Sequence, residues 1–320
     1  MCGSAIEPHG WPVVRCGVLL MSSPFFSVVV PTRSRVQQLA VCIRKLAELA
    51  YPRDRYEVIV VDDGSERPPV VEPPGELRFR LILGSHQGPA AARNLGAGSA
   101  EGDYLAFIDD DCEPERNWLT AFANRIARVP EAAFGGRTVN GLPENTWSTA
   151  SELLLAYLHS YYRNGGTSQP GFFASNNFAL SASLFRQLGG FSTRFTLAAG
   201  EDRELCARVL DHGRSLEYVP DAVVRHAHPL DLSSFLRQHF NYGRGAFAFH
   251  QIQRTSGGAP SLRFEPARFY LRLVTYPFVV APEKQPLELS ALLVLSQLAN
   301  ASGFFREGLA HRVGAAKGLE

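Results

Sequence analysis

Two short acidic stretches in this chain are able to do chemistry. "YLAFIDDDCEP" (104–114) runs a mostly apolar segment straight into Asp109, Asp110 and Asp111, and "GEDRELCARVLDHG" (200–213) opens on Glu201 and Asp202. Adjacent carboxylates raise one another's cost of ionisation unless a cation or a set of donors sits among them. Mg²⁺ or Mn²⁺ takes oxygen ligands and is commonly held by one or two carboxylates plus substrate phosphates, so the triplet asks for such a partner. The second stretch reads as a helix. Leu205, Cys206, Val209 and Leu210 form one apolar stripe, Glu204 and Arg208 make an i,i+4 pair, and Gly213 is placed to end it. Glu201 and Asp202 then fall in the first turn, where the positive end of the helix dipole favours an ionised carboxylate able to accept a proton.

Those groups need elements to hold them. "FFSVVVPT" (25–32) is a β-branched apolar run stopped by proline, the mark of a strand buried on both faces. "RVQQLAVCIRKLAELA" (35–50) follows at helical spacing, and "YEVIVVDDGS" (56–65) is a second buried strand ending in two aspartates and a glycine turn. Strand, helix, strand predicts a right-handed βαβ unit with parallel strands. The alternation continues with a strand at 78–84, an alanine-rich helix at 88–100, a strand at 103–111 and a helix at 117–129. If that last strand alternates to its end, Asp109 and Asp111 share one face and Asp110 points away. In open α/β sheets ligands bind outside the carboxyl ends of the strands, and the polar residues 31–35, 62–65 and 109–111 sit at those ends.

Beyond residue 130 the loops lengthen. Helices are expected at 150–162 and 201–213, a strand at 215–228, and a helix from 231 interrupted near Gly243 and Gly245. The apolar segments 268–280 and 287–305 fall short of the ~20 uninterrupted apolar residues that a bilayer span requires, so 287–305 is expected as a buried helix.

With 320 residues, 45% of them hydrophobic and 20% charged, the chain can bury one large core with an appendage. A net charge of +1 without a basic block argues against nucleic acid as a partner. The five cysteines lack C-x-x-C spacing, which indicates neither a zinc site nor a disulfide framework and fits reduced thiols in the cytosol. Residues 1–20 have no charged start leading into a full apolar core, so no signal peptide is expected there, only a loose extension.

Taken together, "VVVPTRSR", "VIVVDDGS", "FIDDDCEP" and "GEDRELCARVL" occur in this order and at these separations in the inverting glycosyltransferases of family 2. With "GPAAARNLG" and "ASNNFALSASLFRQLGGF" included, the chain resembles that family over roughly residues 25–230. The resemblance implies an α/β protein of the GT-A (Rossmann-like) fold, with a mostly parallel central sheet flanked by helices and a helical C-terminal extension. It divides the chain into a loose extension (1–24), a catalytic domain (25–230, with 25–115 as the nucleotide-sugar half and 116–230 as the acceptor half) and a helical C-terminal region (231–320). The activity implied is metal-dependent transfer of a sugar from a nucleotide diphosphate, UDP favoured, to a hydroxyl of a glycan or lipid-linked acceptor. Asp202 would be the general base, with Glu201 beside it, in a single in-line displacement that inverts the anomeric carbon.

By the same resemblance, Asp111 holds Mn²⁺ or Mg²⁺, Asp109 faces the ribose side and assists, and Asp110 is the variable middle position of the nucleotide-sugar site. Some relatives supply a histidine ligand where His226 and His228 stand; a purely structural role is the alternative. Pro31, Thr32 and Arg35 resemble the first nucleotide-binding loop. Asp62 or Asp63 would accept the imide hydrogen of the base, and Arg93 would reach the nucleotide or diphosphate. Asn176 and Asn177 would line the acceptor side, and Arg237 and Arg244 the diphosphate from the C-terminal region. The pattern departs at "GGFSTRF", where Ser192 and Thr193 replace an acidic pair, which puts acceptor contacts in doubt. The location expected is cytoplasmic, with peripheral contact at the inner face of the cell membrane through 231–320 left open. Two rivals stand beside this reading. A nucleotidyltransferase lacks its G-x-G loop and following lysine here, and a catalytically silent carbohydrate-binding relative would have lost Asp111 or Asp202.

Overall fold

Each apolar run becomes a strand because its residues find cover on both faces. The computed structural model describes residues 23–163, 171–195, 199–255 and 265–317. In chain order the elements are β1 (Phe26–Thr32), α1 (Val36–Ala47), β2 (Tyr56–Asp62), β3 (Phe79–Leu83), α2 (Pro89–Gly98), β4 (Tyr104–Phe107), β5 (Cys112–Pro114) and α3 (Trp118–Ile126). There follow β6 (Ala133–Asn140), α4 (Thr146–Arg163), β7 (Phe178–Ser181), α5 (Ala182–Gln187), α6 (Glu201–Asp211), β8 (Leu216–His226), α7 (Leu232–Thr255), α8 (Ala267–Val280) and α9 (Pro286–Lys317).

The strands form one sheet in the order β3-β2-β1-β4-β7-β6-β8-β5. Pairings β1–β2, β1–β4, β2–β3 and β6–β8 are parallel, and β4–β7, β6–β7 and β5–β8 are antiparallel. Helices cover both faces. Val28 and Val30 of β1 pack with Leu39, Ile43 and Leu46 of α1, while Val29 points the other way among Phe107, Phe178 and Leu205. All of these are essentially inaccessible to water, and burying one such side chain is worth about 1.5–3 kcal/mol. The two-residue period of the strands therefore distributes one sequence run between two cores.

The strand expected over 103–111 stops at Phe107. Asp109, Asp110 and Asp111 instead make a turn, closed by a hydrogen bond from Cys112 N to Asp109 O (3.1 Å), that carries the chain from β4 to β5 on the far side of the sheet. The expected alternation of the three side chains is thus replaced by divergence around a turn. β5 pairs with β8 in a register that sets Cys112 opposite His226, and the Ala227 amide donates to the Asp111 carbonyl at 2.8 Å.

A second difference lies in α7, which runs through Gly243 and Gly245 without interruption. These glycines serve close approach rather than a break. A Cβ on Gly243 would overlap the Asn300 carbonyl of α9, one on Gly303 the Phe240 carbonyl of α7, and one on Gly245 the Ala199 carbonyl that precedes α6. The backbones of α7 and α9 touch because no side chain stands between them. On α9, Leu289, Leu292, Leu293 and Ser296 are buried, but Leu287 is 77% exposed, Leu298 61% and Phe305 58%. The buried helix expected over 287–305 is therefore buried along one face only. Its stretch Pro286–Arg312 is long and apolar enough to cross a membrane by length and composition. Residues 1–22, which hold the expected N-terminal extension with Cys2 and Cys16, lie outside the described residues; Cys42, Cys112 and Cys206 are buried free thiols.

Candidate active site

The carboxyl ends of β1, β2 and β4 open into a cleft of about 1400 Å³, whose opposite wall is built by α4, α7, α8 and α9. Small-molecule pockets usually run to about 300–1,000 Å³, so this one has room for more than a single compact ligand.

Each aspartate of the triplet has its own partner. Asp109 accepts from Arg93 Nη2 at 2.6 Å and Asp110 from Thr32 Oγ1 at 2.6 Å, while Arg35 Nη1 spans Asp110 (3.1 Å) and Asp111 (2.9 Å). Asp111 also lies 3.1 Å from His226 Nε2 and 3.0 Å from His228 Nδ1, the two imidazoles stacked at 5.3 Å. Burial opposes ionisation of Asp111, but the hydrogen bonds from both histidines outweigh it and hold the carboxyl well below the usual range. For Asp110 burial wins over Thr32 and Arg35 and pushes the carboxyl up to about 6. The cost of three adjacent acids is thus met by two arginines, two histidines and a hydroxyl.

A divalent cation fits this constellation. Asp111 presents a buried, ionised carboxylate with two imidazole nitrogens around it, and Asp109, whose side chain is 29% exposed, stands on the cleft side. Cys112 lies close enough to join Asp111 and His226, but burial pushes its thiol well up, and a protonated sulfur is a poor ligand for a hard ion.

The acid pair opens α6 as expected. Glu201 and Asp202 are in the first turn behind Gly200, whose φ of 95° lies in the region that favours glycine, and Arg208 grips Glu204 at 2.6 Å. Glu201 Oε1 takes Arg93 Nη1 at 3.2 Å, and its other oxygen is buried without a partner. Burial, reinforced by the charge of Asp202, pushes the Glu201 carboxyl up to about 7, and burial raises Asp202 too. The helix end does not outweigh desolvation. Arg93, 3% exposed, therefore spans the cleft floor with Asp109 at one end and Glu201 at the other.

Pro31, Asp63 and Asn176 line the cleft; Asp62 and Asn177 do not. Asp63 accepts from the Gln87 and Gly88 amides at 2.8 Å each, fixing the loop before α2. Asp62 is consumed in its own turn, bonded to the Ser65 amide and hydroxyl. Asn177, expected on the acceptor side, is a buried strut: its Oδ1 accepts from Trp118 Nε1 (2.9 Å) and its Nδ2 donates to Ala222 O (3.0 Å). Two adjacent asparagines in an extended-to-helical turn face opposite ways, so only Asn176 reaches the cleft. Arg237 also lines it, whereas Arg244 is committed to Glu307 of α9 at 2.6 Å and lies off the cleft.

Sequence reasoning missed Tyr162, Arg203, Gln238 and Tyr242, all on the cleft lining. Arg203 lies 4.9 Å over the Phe249 ring, and Gln238 Nε2 donates to Tyr242 Oη at 2.7 Å. Burial pushes the Tyr242 phenol up to about 12. Arg203 directly follows the acid pair, which was a usable signal; the residues of α4 and α7 carry none until those helices are folded over the sheet.

This sheet, with a cleft at its carboxyl edge and acidic groups on both sides of it, defines a GT-A-type fold. A mannosyltransferase from Pyrobaculum calidifontis, solved with GDP-Man and Mn²⁺, matches 94% of this chain and 82% of its own length at a TM-score of 0.54 and 19% identity. GalNAc-T7, solved with UDP, GalNAc and Mn²⁺, matches 92% of this chain and 58% of its own at 0.52 and 17%. The sequence pattern of glycosyl transferase family 2 matches residues 27–189, and the chain belongs to that family: it is a glycosyltransferase. Its relatives include the glycosyltransferase AglE of Haloferax volcanii, 27% identical over 73% of this chain and 76% of that one. The pre-mycofactocin glycosyltransferase of Mycobacterium tuberculosis is 30% identical over 69% of this chain, which spans only 46% of it.

Proposed function

We propose that the protein transfers a sugar from a nucleotide diphosphate to an acceptor hydroxyl with inversion at the anomeric carbon, and that Asp202 is its general base. The observation that carries this is the Arg93 bridge, which ties the donor-side aspartate to the acid pair through one guanidinium, at 2.6 Å and 3.2 Å. A hydroxyl beside Asp202 is then held next to the donor's leaving group. Both acids line the cleft, but Glu201 is buried and tied to Arg93 whereas Asp202 is the more exposed of the two, held by backbone amides, and a single base without a second nucleophile suits direct displacement.

In this reading Asp111, His226 and His228 would hold Mn²⁺ or Mg²⁺ with Asp109 beside them, and the chemistry supplied by such an ion would be positive charge for the departing diphosphate. Arg35, which bridges Asp110 and Asp111 at the cleft, would add a guanidinium for the phosphates. Asp63 and the ordered loop behind it face the base. The fold neighbours solved with GDP-Man and with UDP bracket the base without choosing it. Residues 25–230 form the catalytic unit in this proposal and 231–320 a helical wall facing the acceptor.

The test is calorimetric titration with UDP and with GDP, each with and without Mn²⁺, on the wild-type chain and on Asp111→Ala. Metal-dependent binding of one nucleotide, lost in the variant, is the expected result. Binding of neither under any condition would overturn the donor site.

A further inference from the structure

The helical wall of the cleft has no counterpart in the donor chemistry. Leu154, Leu155 and Leu158 of α4, Phe269 of α8, and Leu298 and Phe305 of α9 line the same cavity as the aspartates. A nucleotide sugar offers nothing apolar to such a wall. The wall also does not end at the cleft. Leu298 and Phe305 continue along α9 into Val294 (42% exposed) and Leu309 (64%), and α8 adds Leu271 (67%) and Val279 (78%) on the outer surface. The row 294, 298, 305, 309 keeps one helix face by its spacing of fours and sevens, so cavity and outer surface share a continuous apolar track. Exposed contiguous apolar surface of this kind marks a binding face. Arg237 lines the cleft, is exposed and makes no salt bridge among the described residues, and although Asp231 at the start of α7 is near enough to feel its charge, it offers a guanidinium to an anionic head.

We infer that this track is the seat of a hydrocarbon chain: the acceptor is an anionic amphiphile resident in a bilayer, its hydroxyl delivered to Asp202 and its chain lying between α4, α8 and α9. The inference rests on the transferase reading above and narrows its acceptor to the lipid-linked class. Leu298 and Phe305 line the cleft and are themselves 61% and 58% exposed, so the apolar wall of the cleft runs out onto the open face of α9, which α8 adjoins. Those faces would rest on the bilayer and let the chain slide from lipid into the cleft without crossing water. The cavity of about 1400 Å³ has the room to hold a donor and the head of such a chain together.

The probe is a series of n-alkyl phosphates of four, eight and twelve carbons, titrated below their micelle-forming concentrations into the full chain with Mn²⁺. A twelve-carbon member bearing a terminal diazirine is cross-linked in parallel and its adducts are mapped by mass spectrometry. Affinity is expected to rise by about two- to fourfold per methylene until the groove is filled, with adducts on α4 and α9. Leu298→Glu, at an exposed position that the fold does not depend on, is expected to weaken the twelve-carbon probe by at least about tenfold. Leu271→Glu, outside the cleft, should leave that affinity unchanged and weaken only binding to phospholipid vesicles.

Affinity independent of chain length, adducts confined to the outer surface, or equal losses from Leu298→Glu and Leu271→Glu would each overturn the inference. A concentration-dependent dimer that hides Leu298 and Phe305 would do the same. Because the titration contains no donor, failure here leaves nucleotide binding intact, whereas failure of the donor site abolishes nucleotide binding and leaves the alkyl series unaffected.

Discussion

The two walls of the cleft solve opposite problems. On the strand side every ionised group of the aspartate turn has an opposite charge or a donor within hydrogen-bond distance, and the atoms left over, Arg93 Nε and Glu201 Oε2, belong to groups that are otherwise paired. On the helical side His239 is buried with neither ring nitrogen bonded, and Gln238 Oε1 and the Tyr161 hydroxyl are also unsatisfied. The apolar balance reverses too. Ten of the sixteen exposed large hydrophobic side chains among the described residues lie on α8 and α9. A wall of paired charges is fixed before any ligand arrives, because breaking one pair strands the other charge in low dielectric. The unpaired polar atoms are buried beyond the reach of a ligand, but the exposed apolar surface of α8 and α9 gains by being covered. The strand wall is therefore preorganised by electrostatics, and the helical wall leaves its apolar surface open.

The sharpest test of the strand side is Asp202→Asn, which removes the proposed base and keeps the shape. Turnover is expected to fall by about 10²- to 10⁴-fold with nucleotide binding unchanged, read by steady-state kinetics beside calorimetry. Loss of nucleotide binding instead would mean that Asp202 belongs to the donor site. Arg93→Met probes the bridge itself. Deleting a buried guanidinium strands two carboxylates, and a loss of about 3–5 kcal/mol in urea denaturation is expected. A loss below about 1 kcal/mol would show that the pairs on this wall are not what orders it.

Much of the strand wall was legible because its information is local. A β-branched run closing on Pro31 and Thr32, or two aspartates and a glycine after an apolar strand, state the element and, to within a residue, where it ends. The acid pair could be placed at the start of α6 from the stripe behind it, and the structure puts it there. What one stretch cannot state is which distant group meets it. Arg93 and Glu201 are 108 residues apart, so nothing near Arg93 in the sequence announces the two carboxylates it joins at the cleft. The same limit made Asn177 look like an acceptor contact, since nothing near it announces Trp118 as its partner. The helical wall was the least legible. Gly243 and Gly245 read as helix breaks because their use, backbone contact with Asn300 and Ala199, exists only after α9 and the segment before α6 are in place.

That contact gives the next test. Gly243→Ala forces a methyl against the Asn300 carbonyl, and overpacking of this kind costs about 1–3 kcal/mol. The melting temperature should fall while Mn²⁺-dependent nucleotide binding at the strand wall is retained. Coupled loss of both would show that the two walls are one unit and would break the contrast between them.

The smallest effects are the most specific to the helical wall. Burial holds the His239 imidazole down to about 4. The unfolded chain takes up a proton near pH 6.5 that the folded chain refuses, so stability should decline as pH falls from about 6.5 to about 4. His239→Leu, which removes the unbonded nitrogens, should flatten that acid limb by about 1–3 kcal/mol. Glu152 on α4 gives the opposite sign. Burial pushes its carboxyl up to about 7, with Lys284 acting the other way, so ionisation is penalised as pH rises from the ordinary 4.5 through about 7. Stability carried by the neutral carboxyl is full below the lower value and lost above the upper one. Because Glu152 is partly exposed, the penalty is discounted to about 1 kcal/mol. Glu152→Gln should match the wild-type chain in thermal melts at pH 5 and exceed it at pH 8.5. Coincident curves at both pH values would mean that the Glu152 carboxyl is as well solvated on the folded α4 as in the unfolded chain.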